Sequence, residues 1–196
     1  MKYLAKGIIT KQEAVKLKIK DSYTWHKTLW KCFPDCKDDN RFFLFKIDDK
    51  ETFFQIFLLS EKEITMPEWG EWQSKIISDN FLNHDFYKFE VKVNPTMRQN
   101  QSRKRIGIYK DEELKKWIER KAERAGFVIE EKSLLISPPI SDFFYKNKNR
   151  GKHITVTFKG ILKVTDKELF VNSFNIGIGS AKSFGYGMLM LQPIKQ

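Results

Sequence analysis

Residues 21–33 read as a helix, with Asp21 or Ser22 at its N-cap and Pro34 just past its end. At about 100° per residue, Trp25, Leu29, Cys32 and Phe33 form an apolar face. Tyr23, His26, Lys27 and Trp30 fall on a neighbouring stripe. A phenol, an imidazole, an ammonium and an indole therefore share one edge. Histidine gives or takes a proton near neutrality. A tyrosine three residues earlier would orient a phosphate or assist the proton transfer. On spacing alone, an amphipathic helix with an incidental edge histidine is the simpler reading.

A second unusual stretch is Gly177-Ile178-Gly179-Ser180-Ala181-Lys182-Ser183-Phe184-Gly185-Tyr186-Gly187. Its glycines Gly177, Gly179, Gly185 and Gly187 let backbone N–H groups approach an anion closely, and Lys182 adds charge. The stretch is neither a phosphate-binding P-loop nor a dinucleotide fingerprint, because Lys182 follows no glycine and stands where the fingerprint needs one. Anion binding, a plain flexible loop and glycine-driven packing all remain open for it.

The chain has 196 residues and a formal net charge of +11. Val91–Lys110 contains six cations and no acid: Lys92, Arg98, Arg103, Lys104, Arg105 and Lys110. Phe143–Thr165 contains six more, again with no acid: Lys146, Lys148, Arg150, Lys152, Lys159 and Lys163. The remainder carries 24 basic and 25 acidic residues, so these two segments account for the whole excess. That partition points to a polyanionic partner. No run of about 18 apolar residues is present, and no basic amphipathic helix points to a membrane surface. The N-terminus shows no long apolar signal core, so the cytoplasm is expected. Cys32 and Cys36 lack a second Cys pair, and His84 and His153 are isolated, so no metal site and no cofactor is expected.

These residues need a scaffold. Residues 2–9, 41–47 and 52–59 read as strands, the last two as an aromatic hairpin, and Pro67–Ile77 as a short helix or turn. Beyond residue 85, Phe86–Val93 is a strand and residues 111–125 are an amphipathic helix with Gly126 at its C-terminal end. Phe127–Leu135 reads as extended, and Asn149-Arg150-Gly151 as a turn into the strand His153–Val164. A short helix from Asp166 and a closing strand Met188–Pro193 complete the order. The expected fold is α+β, with two tandem ferredoxin-like (RRM-like) βαββαβ domains spanning residues 1–85 and 86–196.

Four stretches then resemble a known family. They are Tyr23–Pro34 (YTWHKTLWKCFP), Phe89–Thr96 (FEVKVNPT), Val156–Asp166 (VTFKGILKVTD) and Gly177–Leu191 (GIGSAKSFGYGMLML). Together they resemble the CasE family, the CRISPR-associated endoribonucleases of type I-E systems. The resemblance implies binding of a CRISPR repeat stem-loop and metal-free cleavage at its 3′ base. It also implies retention of the product within the Cascade complex, by a protein that is a monomer when isolated. It carries the catalytic role onto His26, with Tyr23 as helper. Lys27, Lys31, Arg98, Arg103, Lys104, Arg105, Lys148, Arg150, Lys152 and Lys182 are the expected RNA-binding cations. A non-catalytic stem-loop-binding subunit fits the fold and charge equally well.

Overall fold

In the computed structural model, strand β1 (Tyr3–Thr10) buries Ala5 and Ile9 while Lys6 and Thr10 face out, the period of two expected of a half-buried strand. Residues 1–36, 42–99, 104–146 and 149–194 are described. They divide into two units. The first comprises Met1–Asp79, Phe143–Gly151 and Ser183–Gly185, and the second comprises Asn80–Asp142, Lys152–Lys182 and Tyr186–Gln196.

In the first unit, β1 runs into a short helix α1 (Lys11–Lys16) that the sequence pattern does not reveal. A reciprocal capping box starts it: Glu13 N–H donates to the Thr10 hydroxyl, and Thr10 N–H donates to the Glu13 carboxylate. The Thr10 N–H and the Thr10 hydroxyl, both donating to the Glu13 carboxylate, and then Gly70 N–H hold the Glu13 carboxyl below its ordinary pKa. Helix α2 (Ser22–Leu29) follows, extended by a 3₁₀ turn over Trp30–Cys32. The expected single helix over 21–33 is thus α-helical for its first two-thirds and tightens at its end.

Strands β2 (Phe43–Asp49) and β3 (Phe53–Ser60) form the expected hairpin. Strand β4 (Glu71–Ile76) corrects the reading of Pro67–Ile77 as a helix or turn. It pairs antiparallel with β1 as a polar edge strand. Its indole at Trp72 covers Gly7, where an added Cβ would lie 2.8 Å from the ring. The sheet order is β2-β3-β1-β4, the ferredoxin-like order. Among the described residues, the second crossover of this unit is an irregular connection rather than a helix.

The second unit starts with β5 (Phe86–Val93), followed by a two-stranded ribbon of β6 (Thr96–Arg98) and β7 (Arg105–Gly107). Helix α3 (Asp111–Arg124) buries Leu114, Trp117, Ile118 and Ala122, and Gly126 stands just beyond its end at φ +77°. The extended stretch after it is broken into β8 (Phe127–Ile129) and β9 (Leu135–Ile136), separated by a 3₁₀ turn. Strand β10 (Ile140–Lys146) leads into the long β11 (Asn149–Val164). The expected turn at Asn149–Gly151 is therefore the beginning of β11. Gly151 is needed there because a Cβ would strike the Phe144 ring at 2.2 Å.

Helix α4 (Lys167–Ile176), capped by Asp166, and β12 (Leu189–Pro193) close the chain. Strands β11 and β12 flank β5, with β8, β9 and β10 on the far side of β11, so the ferredoxin-like order recurs. The chain is α+β with two tandem ferredoxin-like domains. The even positions Ile154, Val156, Phe158 and Leu162 of β11 are buried, and the Phe158 ring stacks 6.2 Å from Trp117 of α3.

Burial pushes the Cys32 thiol up to about 12, so it stays protonated at neutral pH and behaves as a core side chain. Cys36 is only half-buried. A thiol reagent at pH 8 should modify Cys36 alone in the folded protein, with mass spectrometry showing Cys32 labelled only after denaturant is added.

Candidate active site

Helix α2 is oriented by what it buries. Trp25 sets its edge against Phe54 at 5.2 Å, and Leu29, Cys32 and Phe33 are fully covered. This rotation leaves Tyr23 and His26 half-buried and Lys27 exposed. The His26 ring lies 6.0 Å from Phe43 and 6.3 Å from Phe45, stacked on the latter at 15°. Trp30 Nε1–H donates to His26 Nε2 at 3.1 Å. That bond selects an imidazole whose Nε2 is unprotonated.

Three segments distant in sequence meet around Tyr23, all within the first unit. Phe184 of the glycine-rich stretch sits 6.2 Å from the Tyr23 ring and 4.4 Å from Phe144 of the hairpin tip. Lys27 Nζ lies 4.6 Å over the Tyr23 ring, and Lys146 Nζ approaches the same ring at 6.0 Å. The tip is tied down by Asp21. Its Oδ1 accepts from Thr24 N–H at 2.8 Å as the N-cap of α2, and its Oδ2 accepts from Tyr145 N–H at 2.8 Å. The arrangement places an imidazole, a phenol and two ammonium groups on one partly exposed surface. Such a surface can hold a phosphate and move a proton beside it.

The remaining expected cations are distributed as follows. Lys31 is exposed in the 3₁₀ turn after α2. Arg150, at the start of β11, lies in the first unit with its guanidinium 4.0 Å over Phe143. Arg98, Lys104, Arg105 and Lys152 belong to the second unit, and Lys152 Nζ lies 5.7 Å over Tyr109. Lys182 is half-buried at the start of a 3₁₀ turn. Arg103 and Lys148 lie outside the described residues.

Gly177, Gly179, Gly185 and Gly187 all have φ between +78° and +87°. Gly185 gives room to Phe45, and Gly187 turns the chain where a Cβ would fall 2.3 Å from the Ile178 carbonyl oxygen. Packing accounts for these two. Phe144 and Phe184 were missed from sequence, since their partners lie on other elements; Asp21 was read only as an N-cap, and Trp30 only as a member of the stripe. Only the four-residue spacing of His26 and Trp30 signalled its pair.

His153 is half-buried in β11, edge-on to the Tyr186 ring at 5.4 Å, and burial lowers its pKa. The Tyr186 hydroxyl donates to Asp142 and shares a 2.8 Å bond with Thr155. Burial, then the Asp142 bond, raises the Tyr186 pKa well above its ordinary value.

A family model described as CRISPR associated protein matches residues 3–193. The chain belongs to this CRISPR-associated family. Among its relatives is the Cascade subunit CasE of Escherichia coli K12, 27% identical over 98% of this chain and 100% of that protein. The solved structure of Cas6e from the same organism, also 27% identical, superposes with a TM-score of 0.73 over 98% of this chain and all of that one. Thermus thermophilus Cse3, bound to an RNA representing a pre-cleavage complex, superposes at 0.83 with 20% identity, over 98% of this chain and 99% of that one, and shares the fold. The CasE-type resemblance drawn from the motifs is thus shown over nearly the whole chain.

Two outcomes follow for this CRISPR-associated chain. Trp30→Phe keeps ring contacts to Phe42 and Phe43 but removes the indole N–H. Histidine ¹⁵N spectra at neutral pH should show His26 unprotonated at Nε2 in the parent and a mixture of tautomers in the variant. Gly187→Ala should lower stability by about 1–3 kcal/mol through left-handed strain and the carbonyl clash, read from urea unfolding.

Proposed function

We propose that the chain is a metal-independent endoribonuclease that binds the stem-loop of CRISPR repeat RNA and cuts the precursor transcript at the 3′ base of the hairpin. The observation that carries the reading is that α2 bears both His26 and Tyr23, three residues apart, with Lys27 over the Tyr23 ring, in a chain of the CRISPR-associated family. RNA supplies its own nucleophile. The 2′-oxygen attacks the adjacent phosphorus, the P–O5′ bond breaks, and the products end in a 2′,3′-cyclic phosphate and a 5′-hydroxyl. One proton leaves the 2′-hydroxyl and one reaches O5′. His26 carries one of these transfers, with Tyr23 orienting the phosphate or assisting. Lys27 and Lys31 offset the charge that builds on the phosphorane.

The domain carrying α2, residues 1–85, supplies the chemistry, and residues 86–196 supply most of the grip on the stem. Arg98, Lys104 and Arg105 of the ribbon region, Arg150 and Lys152 of β11, and Arg103 and Lys148, which lie outside the described residues, would contact phosphates and read the shape of the A-form stem. Lys182 and the glycine-rich stretch support the same surface. Retention of the cut product as a subunit of Cascade in the cytoplasm completes the proposal. It agrees with the relative described as a Cascade subunit and with a chain in which no described helix is long and apolar enough to cross a membrane.

Cleavage of a labelled repeat hairpin in EDTA tests this reading. The wild type should cut once per bound RNA. His26→Ala should bind with unchanged affinity and cut about 10²–10⁴-fold more slowly. A 2′-deoxy substitution at the scissile nucleotide should abolish cutting by the wild type and leave binding intact. Loss of all wild-type activity in EDTA would defeat the metal-free mechanism. Unchanged cutting by His26→Ala would remove the histidine from it.

A further inference from the structure

Helix α3 looks neutral in sequence, since acids and bases alternate along DEELKKWIERKAER. Folding sorts them. Arg120, Lys121 and Arg124 follow Trp117 by three, four and seven residues, so they rise on the same side of the helix as its buried indole. Opposite them stands the β6–β7 ribbon, where Arg98 and Arg105 are cross-strand partners. These five cations line one cavity of about 400 Å³, with Trp117 in its wall and no carboxylate in its lining. Gly179, in a left-handed conformation, and Ser180 line the same cavity. Glu119 and Glu123 of α3 lie outside it.

Among the described residues none of the five is in a salt bridge, whereas Lys115 on another side of α3 pairs with Glu131 at 2.5 Å. The Lys121 ammonium is held below its ordinary pKa, first by burial and then by the neighbouring guanidinium groups of Arg124, Arg120 and Arg105. Like charges gathered around a cavity repel one another, and a bound anion relieves both that repulsion and the cost of burying Lys121. Guanidinium forks match phosphate oxygens two at a time. One phosphate monoester carries at most two charges, whereas a nucleic-acid strand delivers a charge at every residue and matches five cations better.

We propose that the cavity between α3 and the β6–β7 ribbon is a phosphodiester-binding site that holds consecutive backbone phosphates of the RNA stem through Arg98, Arg105, Arg120, Lys121 and Arg124. It rests on the RNA reading above and adds to it a helix face that the acid-free segments do not include. The site binds without doing chemistry. It reads backbone rather than base edges, so its contribution is independent of RNA sequence.

The test uses the full chain carrying His26→Ala, so that RNA is bound and not cut, and compares it with the same chain carrying Arg120→Gln and Arg124→Gln. Both substituted arginines are exposed, and circular dichroism checks that the fold is kept. Fluorescence anisotropy with a labelled stem-loop RNA measures Kd across a salt series. The double variant should bind about tenfold more weakly at physiological salt, and its log–log salt slope should fall by about 2, since two phosphate contacts are lost. Arg120→Lys with Arg124→Lys should restore the slope and part of the affinity.

An unchanged Kd and slope in the glutamine variant would overturn the site. Inorganic tripolyphosphate, followed by NMR at the Gly179 amide and the Trp117 indole, separates this failure from failure of the RNA reading. Shifts with tripolyphosphate and with RNA, both lost in the glutamine variant, support the proposal. Shifts with tripolyphosphate but no stem-loop binding by the parent would leave an anion cavity, and would overturn RNA as its ligand together with the function proposed above.

Discussion

The carboxylate of Asp21 makes two bonds on which the candidate active site depends. One oxygen caps the first turn of α2 and the other receives the backbone N–H of Tyr145, 124 residues further along the chain. An N-cap of this kind contributes about 1 kcal/mol. A charge-assisted bond to a backbone N–H contributes about 1.5–3 kcal/mol. The same half-buried side chain thus starts the helix bearing Tyr23 and His26 and anchors the hairpin tip bearing Lys146. Phe144 and Phe184 then close around Tyr23 from two other parts of the chain.

Charge follows a similar logic, with geometry overriding linear order. The two acid-free segments are acid-free only along the chain. Within the sheet, Lys159 of the second segment faces Glu90 of β5 and pairs with it at 2.8 Å. The tip of that segment packs in the first unit beside α2, not with the rest of β11. Conversely, α3 cancels to near neutrality by counting, yet its helical period separates Arg120, Lys121 and Arg124 from Glu119 and Glu123. Local charge density depends on which residues share a face, and a helix and a strand sort the same alternation differently.

The glycine-rich stretch combines several requirements that composition cannot separate. Gly185 makes room for an aromatic ring of the core, and Gly187 avoids a carbonyl in its own loop. Gly179 borders the basic cavity instead. All of them adopt left-handed backbone angles that a side chain would strain. Packing explains two positions of the loop, and a third borders the proposed phosphodiester site.

The sequence by itself determined the order of strands and helices wherever the apolar period was strong. The alternation of Ile154 to Leu162 and the stripe of Leu114, Trp117 and Ile118 are legible without coordinates, as is the separation of Trp25 and Leu29 from Tyr23 and His26. Four motifs also sufficed to place the chain in its family. Tertiary structure decided what depends on contacts between distant residues. The polar edge strand at Glu71–Ile76 forms because β1 offers it a partner and Gly7 admits Trp72. The Asp21 clasp, the Phe144–Phe184 contact and the basic cavity under the ribbon arise because folding brings together segments tens of residues apart. Periodicity within one element carries no record of which other element will lie against it.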